Sequence, residues 1–206
     1  MKNYLIIIVV SLCFITTSKA DDIEDFQIGK MNVRDSLLDY FDRKLIITDL
    51  NSKYTFFYKN NTYAIVTAGN SNNYDLKIDT ELYDDIAITI KPDDKNFIIY
   101  ALSGRIFCSN DINYCKSKKK EIENDLKDLF GKNVELKKND GPHSYDKTGR
   151  TKTYNTYFKF KSGDYISVST YDWEMKNKDG VPFPDNTKVS IMTNEFEKFL
   201  SKVQFN

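Results

Sequence analysis

The fold is decided by the stretch YNTYFKFKSGDYISVSTY, residues 154–171, in which side chains alternate in character on either side of a short turn. A period of two over four to eight residues is typical of β-strands, and Ser162-Gly163-Asp164 is typical of the turn between paired strands. One parity of this hairpin carries the side chains that we expect to face a core: Phe158, Phe160, Ile166 and Val168.

The opposite parity of the same hairpin carries tyrosines and ends near the only tryptophan of the chain. Tyrosine and tryptophan offer a large rigid contact area with one polar group, which suits a glycan or protein partner. Two alternatives stay open: another helix covers this face, or the tyrosines only stabilise the sheet by pairing across strands. The candidate binding residues are Tyr157, Tyr165, Tyr171 and Trp173.

A long loop is expected beside this face at residues 137–153, and it contains the only histidine, His143. Loops of this length in a compact domain are uncommon and are often functional. His143 could act as a general base toward Ser144 with Asp146 as its orienting partner. Sequence neighbours seldom form such relays, so we assign His143 to the binding surface. A lone histidine also argues against a metal site, and no cofactor is expected.

The remaining chain supplies more strands and three helices. Period-two segments are expected near residues 54–68, 86–90, 97–107 and 189–191, with a possible short strand at 134–136. Helices are expected at 32–43, before Gly131 and from Asn194. The order α-β-β-β-β-α-(β)-β-β-β-α predicts an α+β fold with an antiparallel sheet of about five to seven strands and three helices packed on it.

The first 20 residues have the layout of a secretory signal peptide. Lys2 precedes an apolar run from Leu5 to Ile15, and small residues precede a cleavage site between Ala20 and Asp21. A membrane anchor is disfavoured because a spanning helix needs about 20 apolar residues. We expect a signal peptide at 1–20, a loose acidic leader at 21–31 and a single domain at 32–206. The mature protein would then be periplasmic or secreted, with no membrane span.

Export changes the interpretation of the three cysteines. Cys13 would leave with the signal peptide, and Cys108 and Cys115 would enter an oxidising compartment as a pair. Their spacing is not that of a redox Cys-x-x-Cys motif, and no second thiol pair exists to complete a zinc site. A structural disulfide between Cys108 and Cys115 is therefore predicted.

Composition limits the functions that remain. The chain has 30 basic and 30 acidic residues, and loss of Lys2 and Lys19 with the signal peptide would leave it slightly acidic. Only four residues are arginine, the side chain best suited to reading nucleic acid, so no nucleic-acid partner is expected. No catalytic motif is present. The sequence favours an exported, non-enzymatic binding or interaction module. Two alternatives are a small hydrolase that acts on a cell-envelope polymer through paired carboxylates, and an inhibitor of an exported enzyme.

Overall fold

The computed structural model describes residues 23–70, 74–78, 82–108, 111–177 and 180–204. The expected signal peptide and its cleavage site at Ala20 and Asp21 lie outside these residues. The described part of the chain forms three α-helices, α1 (Arg43–Leu50), α2 (Ile112–Phe130) and α3 (Asn194–Gln204). It also forms eight strands: β1 (Phe56–Phe57), β2 (Ala64–Gly69), β3 (Asp85–Ile90), β4 (Ile99–Phe107), β5 (Glu135–Pro142), β6 (Lys152–Lys159), β7 (Tyr165–Asp172) and β8 (Asn186–Met192).

The eight strands form one antiparallel sheet in the order β1-β2-β3-β4-β8-β7-β6-β5. The predicted α+β class is confirmed, although the sheet is larger than the five to seven strands expected. Strand β5 occupies the first part of the segment 137–153 that we expected to be a loop, so the loop itself is shorter and spans 143–151. The fourth and eighth strands pair at the centre, and each is followed by an α-helix.

One face of the sheet carries the main hydrophobic core. Helix α2 packs against it with Ile122, Leu126 and Phe130, and α1 contributes Ile46. The four hairpin side chains expected in a core lie there and are at most 5% exposed: Phe158, Phe160, Ile166 and Val168. Alternation along 154–171 therefore predicted correctly which side chains face inward.

The segment before α1 differs from two expectations, that of a loose leader at 21–31 and that of a helix at 32–43. Residues 23–31, expected as part of a loose leader, include Ile23, Ile28 and Met31, which are fully buried in the main core. The α-helix expected over 32–43 does not form: the backbone up to residue 42 has turns and a 3₁₀ helix at Leu37–Asp39, and α1 begins only at Arg43. The physical reason is that the backbone of this segment hydrogen-bonds to the start of β4 and to the residues just before it. Arg34 N–H donates to the Ile99 carbonyl over 2.8 Å, and Leu37 N–H donates to the Phe97 carbonyl over 3.0 Å.

Helix α2 follows β4 and is joined to it by the predicted disulfide. The bond between Cys108 and Cys115 is confirmed, and it links the end of β4 to the first turn of α2. The Asp111 side chain caps the helix by accepting from the N–H groups of Asn113 and Tyr114, and Gly131 ends it with a φ of 56°. None of the helices within the described residues combines the length and apolar character needed to cross a membrane.

Candidate functional site

The second face of the sheet forms a groove with a cavity volume of about 530 Å³. This volume lies within the range of about 300–1,000 Å³ that is usual for ligand pockets. Side chains from β2 to β4 and from β6 to β8 form its floor, and the segment around Tyr58 and helix α3 form part of its wall. We call this cavity the groove.

Small side chains form the middle of the groove floor. A row of register partners crosses five strands there: Thr67, Ala87, Ser103, Ser190 and Ser167. The hydroxyls of Ser103 and Ser190 hydrogen-bond to each other over 2.8 Å across the central strand pair. Because these side chains are short, the middle of this face is left unfilled, and that is why a cavity exists.

Two further hydroxyls on the floor are open to a ligand. Ser167 and Ser169 are 7% and 4% exposed, and their hydroxyls make no hydrogen bond within the described part of the chain. No side-chain oxygen or nitrogen there is both fully buried and unpaired. The two hydroxyls therefore reach the groove, where they can donate to or accept from a bound molecule.

Helix α3 covers one end of the groove. Phe196 of α3 packs with Tyr63 and Ala101 in a second, smaller core on this face. At the same end the Tyr165 hydroxyl donates to the Met192 sulfur over 2.9 Å, and burial raises the pKa of Tyr165, with a further contribution from Glu197. The alternative in which a helix covers the tyrosine face thus holds for this end only.

Aromatic rings gather at the opposite end of the groove. Tyr171 stacks on Trp173 with ring centroids 5.3 Å apart and planes 8° from parallel. The His143 ring lies 4.7 Å from that of Trp173 and 5.9 Å from that of Tyr171, and Phe183 flanks Trp173 at 5.3 Å. We call these four residues the aromatic cluster. It adjoins the groove through Tyr171, which lines the cavity.

Two cations lie between the aromatic cluster and the small-residue row. Arg105 and Lys188 are register partners on β4 and β8, and they are the only charged side chains among the described residues that line the groove. Asp85, 1% exposed, accepts two hydrogen bonds of 2.6 Å from Arg105. Lys188 lies over the Tyr171 ring, 5.1 Å from its centroid.

His143 is held near the groove as a neutral ring. Its Nδ1 accepts from the backbone N–H of Tyr145 over 3.3 Å, which requires that nitrogen to be unprotonated. Burial lowers the pKa of His143, the positive charge of Lys188 lowers it further, and Asp146 partly opposes both. The ring distances given above place His143 beside Tyr171 and Trp173.

Asp146 organises the loop 143–151. Its carboxylate accepts hydrogen bonds from Thr148 and from the Thr151 backbone N–H, and these bonds hold the pKa of Asp146 well below its usual range. This arrangement assigns Asp146 to loop structure.

A second cavity of about 530 Å³ adjoins the groove, with which it shares the lining residues Tyr54 and Thr67. It contains two carboxylates, Asp49 and Asp75. Burial raises the pKa of Asp49 to about 6, although a hydrogen bond involving the Thr67 backbone opposes this change and Asp75 reinforces it. Within the described residues, no three His, Cys, Asp or Glu side chains group in a way that could hold a metal ion.

Comparisons with protein-family models, with curated proteins and with solved structures find no match to this chain.

The sequence-based candidates fall at two places along the groove. Tyr157 and Tyr165 lie side by side, with ring centroids 5.9 Å apart, whereas Tyr171, Trp173 and His143 belong to the aromatic cluster. Sequence reasoning missed Lys188 and Arg105. The available signal was the parity of β8, because Lys188 alternates with core residues in the same way as the tyrosines of β7 do.

Proposed function

We propose that this protein is an exported, non-enzymatic binding module whose groove takes an oligosaccharide. The observation that carries the proposal is the cavity of about 530 Å³ with a floor of small hydroxyl side chains and tyrosine at its walls. Sugar hydroxyls need several hydrogen-bond donors and acceptors at close range. The hydroxyls of Ser167 and Ser169 can each donate and accept a hydrogen bond. Sugar rings also present flat C–H faces, which pack well on aromatic rings such as those of the tyrosines that line the groove.

A glycan is favoured over a protein partner by the shape of the site. Protein interfaces of standard size bury about 800 Å² on each side. This site is instead concave, partly covered by α3, and has the volume of a small ligand. A short oligosaccharide matches such a groove better than a folded protein surface does.

Binding is favoured over hydrolysis by the charges in the groove. A hydrolase that works through paired carboxylates needs both of them beside the scissile bond. Among the described residues that line the groove, neither an aspartate nor a glutamate is present. Asp49 and Asp75 lie in the adjoining cavity, so a chain bound along the groove floor would lie beside cations and hydroxyls.

Export is supported by two features. Residues 1–20 have the pattern of a signal peptide. The disulfide between Cys108 and Cys115 is compatible with an oxidising compartment. Both agree with a module that meets glycans at or beyond the cell envelope.

The test is a double substitution in the aromatic cluster, Tyr171→Ala with Trp173→Ala. Binding would be measured by calorimetry against a panel of neutral and acidic trisaccharides. We expect affinity to fall at least tenfold, which corresponds to about 1.4 kcal/mol, because two stacked rings are removed from the end of the groove. Circular dichroism should show an unchanged fold, since both side chains lie outside the main core.

Tyr114→Ala is the matched control. Tyr114 is an exposed aromatic residue on α2, 45% exposed, and Lys118 lies over its ring as Lys188 lies over that of Tyr171. The control variant should bind like the wild type. Unchanged binding in the double variant would contradict a role for the aromatic cluster, and loss of folding would assign its rings to structure.

A further inference from the structure

The two cations on the groove floor differ in one respect that decides what the groove can select. Arg105 is neutralised by the buried Asp85, which holds it through two parallel hydrogen bonds. Asp85 also accepts a hydrogen bond of 3.0 Å from the Tyr74 hydroxyl, so this carboxylate is fully engaged. Arg105 is therefore a structural part of the floor, with its charge matched inside the protein.

Lys188 lies beside Arg105 without such a partner. Within the described part of the chain its ammonium group makes no ion pair or hydrogen bond, and its contact is with the face of the Tyr171 ring. The side chain is half-buried in a cavity that no described carboxylate lines. A cation held in a partly enclosed place without a counter-charge attracts an anion more strongly than an exposed lysine does, because water screens it less.

The surroundings of Lys188 contain the other groups that an anion needs. Ser169 is its register partner on β7, and Ser167 lies one step further along the same face. Both hydroxyls reach the groove and can donate to an anionic oxygen beside the ammonium group. The lowered pKa of His143, caused by burial and then by Lys188, agrees with a positive potential at this end of the groove.

We propose that Lys188 pairs with the carboxylate of an acidic sugar, so that the groove selects uronic-acid-type oligosaccharides over neutral ones. This inference rests on the proposed function, because it names the substrate class of the same groove. A carboxylate fits better than a phosphate, since phosphate recognition typically recruits the planar fork of an arginine and Arg105 is already occupied. The Tyr171 ring, stacked on Trp173 and covered by the Lys188 ammonium group, would hold that group beside the carboxylate.

The experiment uses acidic trisaccharides and their own methyl esters as probes. Glucuronic, galacturonic and mannuronic acid trisaccharides cover three sugar configurations, and each methyl ester keeps the configuration while removing the charge. Calorimetric titration of the wild type should show at least one of the acids binding tenfold or more tightly than its ester. That preference should weaken several-fold when sodium chloride is raised from about 50 to 500 mM, because salt screens the pair.

Lys188→Met tests the residue itself. Methionine keeps an unbranched apolar stem that can remain on Tyr171, so we expect the fold and the ester affinity to be unchanged and the preference for the acid to disappear. Lys116→Met is the matched control, because the Lys116 ammonium also lies over a tyrosine ring, that of Tyr154 at 4.3 Å, but outside the groove. This control should keep the preference.

The outcomes separate this inference from the proposed function. Equal binding of acid and ester by the wild type, or binding of neutral trisaccharides alone, would overturn the selection of acidic sugars and leave the binding function standing. A preference that persists in Lys188→Met would overturn the role of Lys188. Binding of none of the neutral, acidic or esterified sugars would overturn both proposals.

Discussion

Asp49 illustrates how a single carboxyl group becomes sensitive to pH through its surroundings. It is 8% exposed, and burial raises its pKa from 3.8 to about 6. The folded protein therefore holds this proton more tightly than the unfolded chain does. Its contribution to stability is fully present below about pH 3.8 and is lost as the pH rises through about 6.

We predict that Asp49→Asn removes this dependence, because an amide does not ionise. Compared with the wild type, the variant should gain stability as the pH rises from 4 to 7, by up to about 3 kcal/mol. Urea unfolding at one-unit pH intervals measures this difference. Asp128→Asn, at an exposed position on α2, is the control and should follow the wild type. A difference between Asp49→Asn and the wild type that stays constant with pH would contradict the prediction.

Sequence alone predicts inward and outward orientation at the level of single residues, but not how charges are matched. Phe158 and Ile166 were placed correctly because period two fixes the face of each side chain. The contrast between Arg105 and Lys188 depends on which strands are neighbours. Asp85 and Arg105 meet only because β3 pairs with β4 in one particular register, and no local pattern specifies that register.

At the scale of elements, two differences from the sequence-based expectation have physical causes. Asn32 and Asp35 do form part of the expected cap, since the Asn32 N–H donates to the Asp35 carboxylate over 3.0 Å. Arg34 nevertheless adopts a φ of 72°, which an α-helix excludes, while its N–H pairs with the start of β4. A tertiary hydrogen bond thus prevails over a local helix signal.

Strand β5 shows the opposite case, an element whose local signal covered only a possible short strand at 134–136, whereas the strand runs over Glu135–Pro142. Seven of its eight residues are exposed, so neither face selects apolar side chains and no alternation is visible. It carries lysine and ends in proline, as edge strands often do, because these residues discourage pairing with other chains. Its pairing with β6 is what makes it a strand.

The disulfide joins two elements, β4 and α2, and its removal should weaken the whole domain. We predict that Cys108→Ser with Cys115→Ser lowers the free energy of unfolding by about 2.5 kcal/mol, because the unfolded chain regains the freedom of the closed loop. Urea unfolding of a chain that begins at Asp21 measures this loss. A reducing agent should lower the stability of the wild type by a similar amount and leave the double variant unchanged. Equal midpoints for the wild type and the double variant would show that the bond adds no stability.

At the scale of the whole molecule, the proposed export makes a prediction about the mature chain. Protein recovered from outside the cytoplasm should begin at Asp21, because small side chains at Ser18 and Ala20 suit cleavage at that point. Its intact mass should be about 2 Da below that of the reduced chain, since the disulfide removes two hydrogens. Ala20→Leu should block cleavage at this bond. Recovery of protein that still starts at Met1 would contradict the proposal.

The order of the strands has a consequence for how the protein folds. Strand β8 is the last of the described strands along the chain, yet it lies between β4 and β7 at the centre of the sheet. The contact between Ser103 and Ser190 spans 87 residues, and contacts between residues so far apart in sequence slow folding. Until β8 docks, the edges of β4 and β7 are unpaired, and the floor of the groove lacks Lys188. A chain that is interrupted before Asn186 would therefore expose two unpaired strand edges, to which other chains can pair. The protein should thus be most prone to aggregation before the last step of its folding.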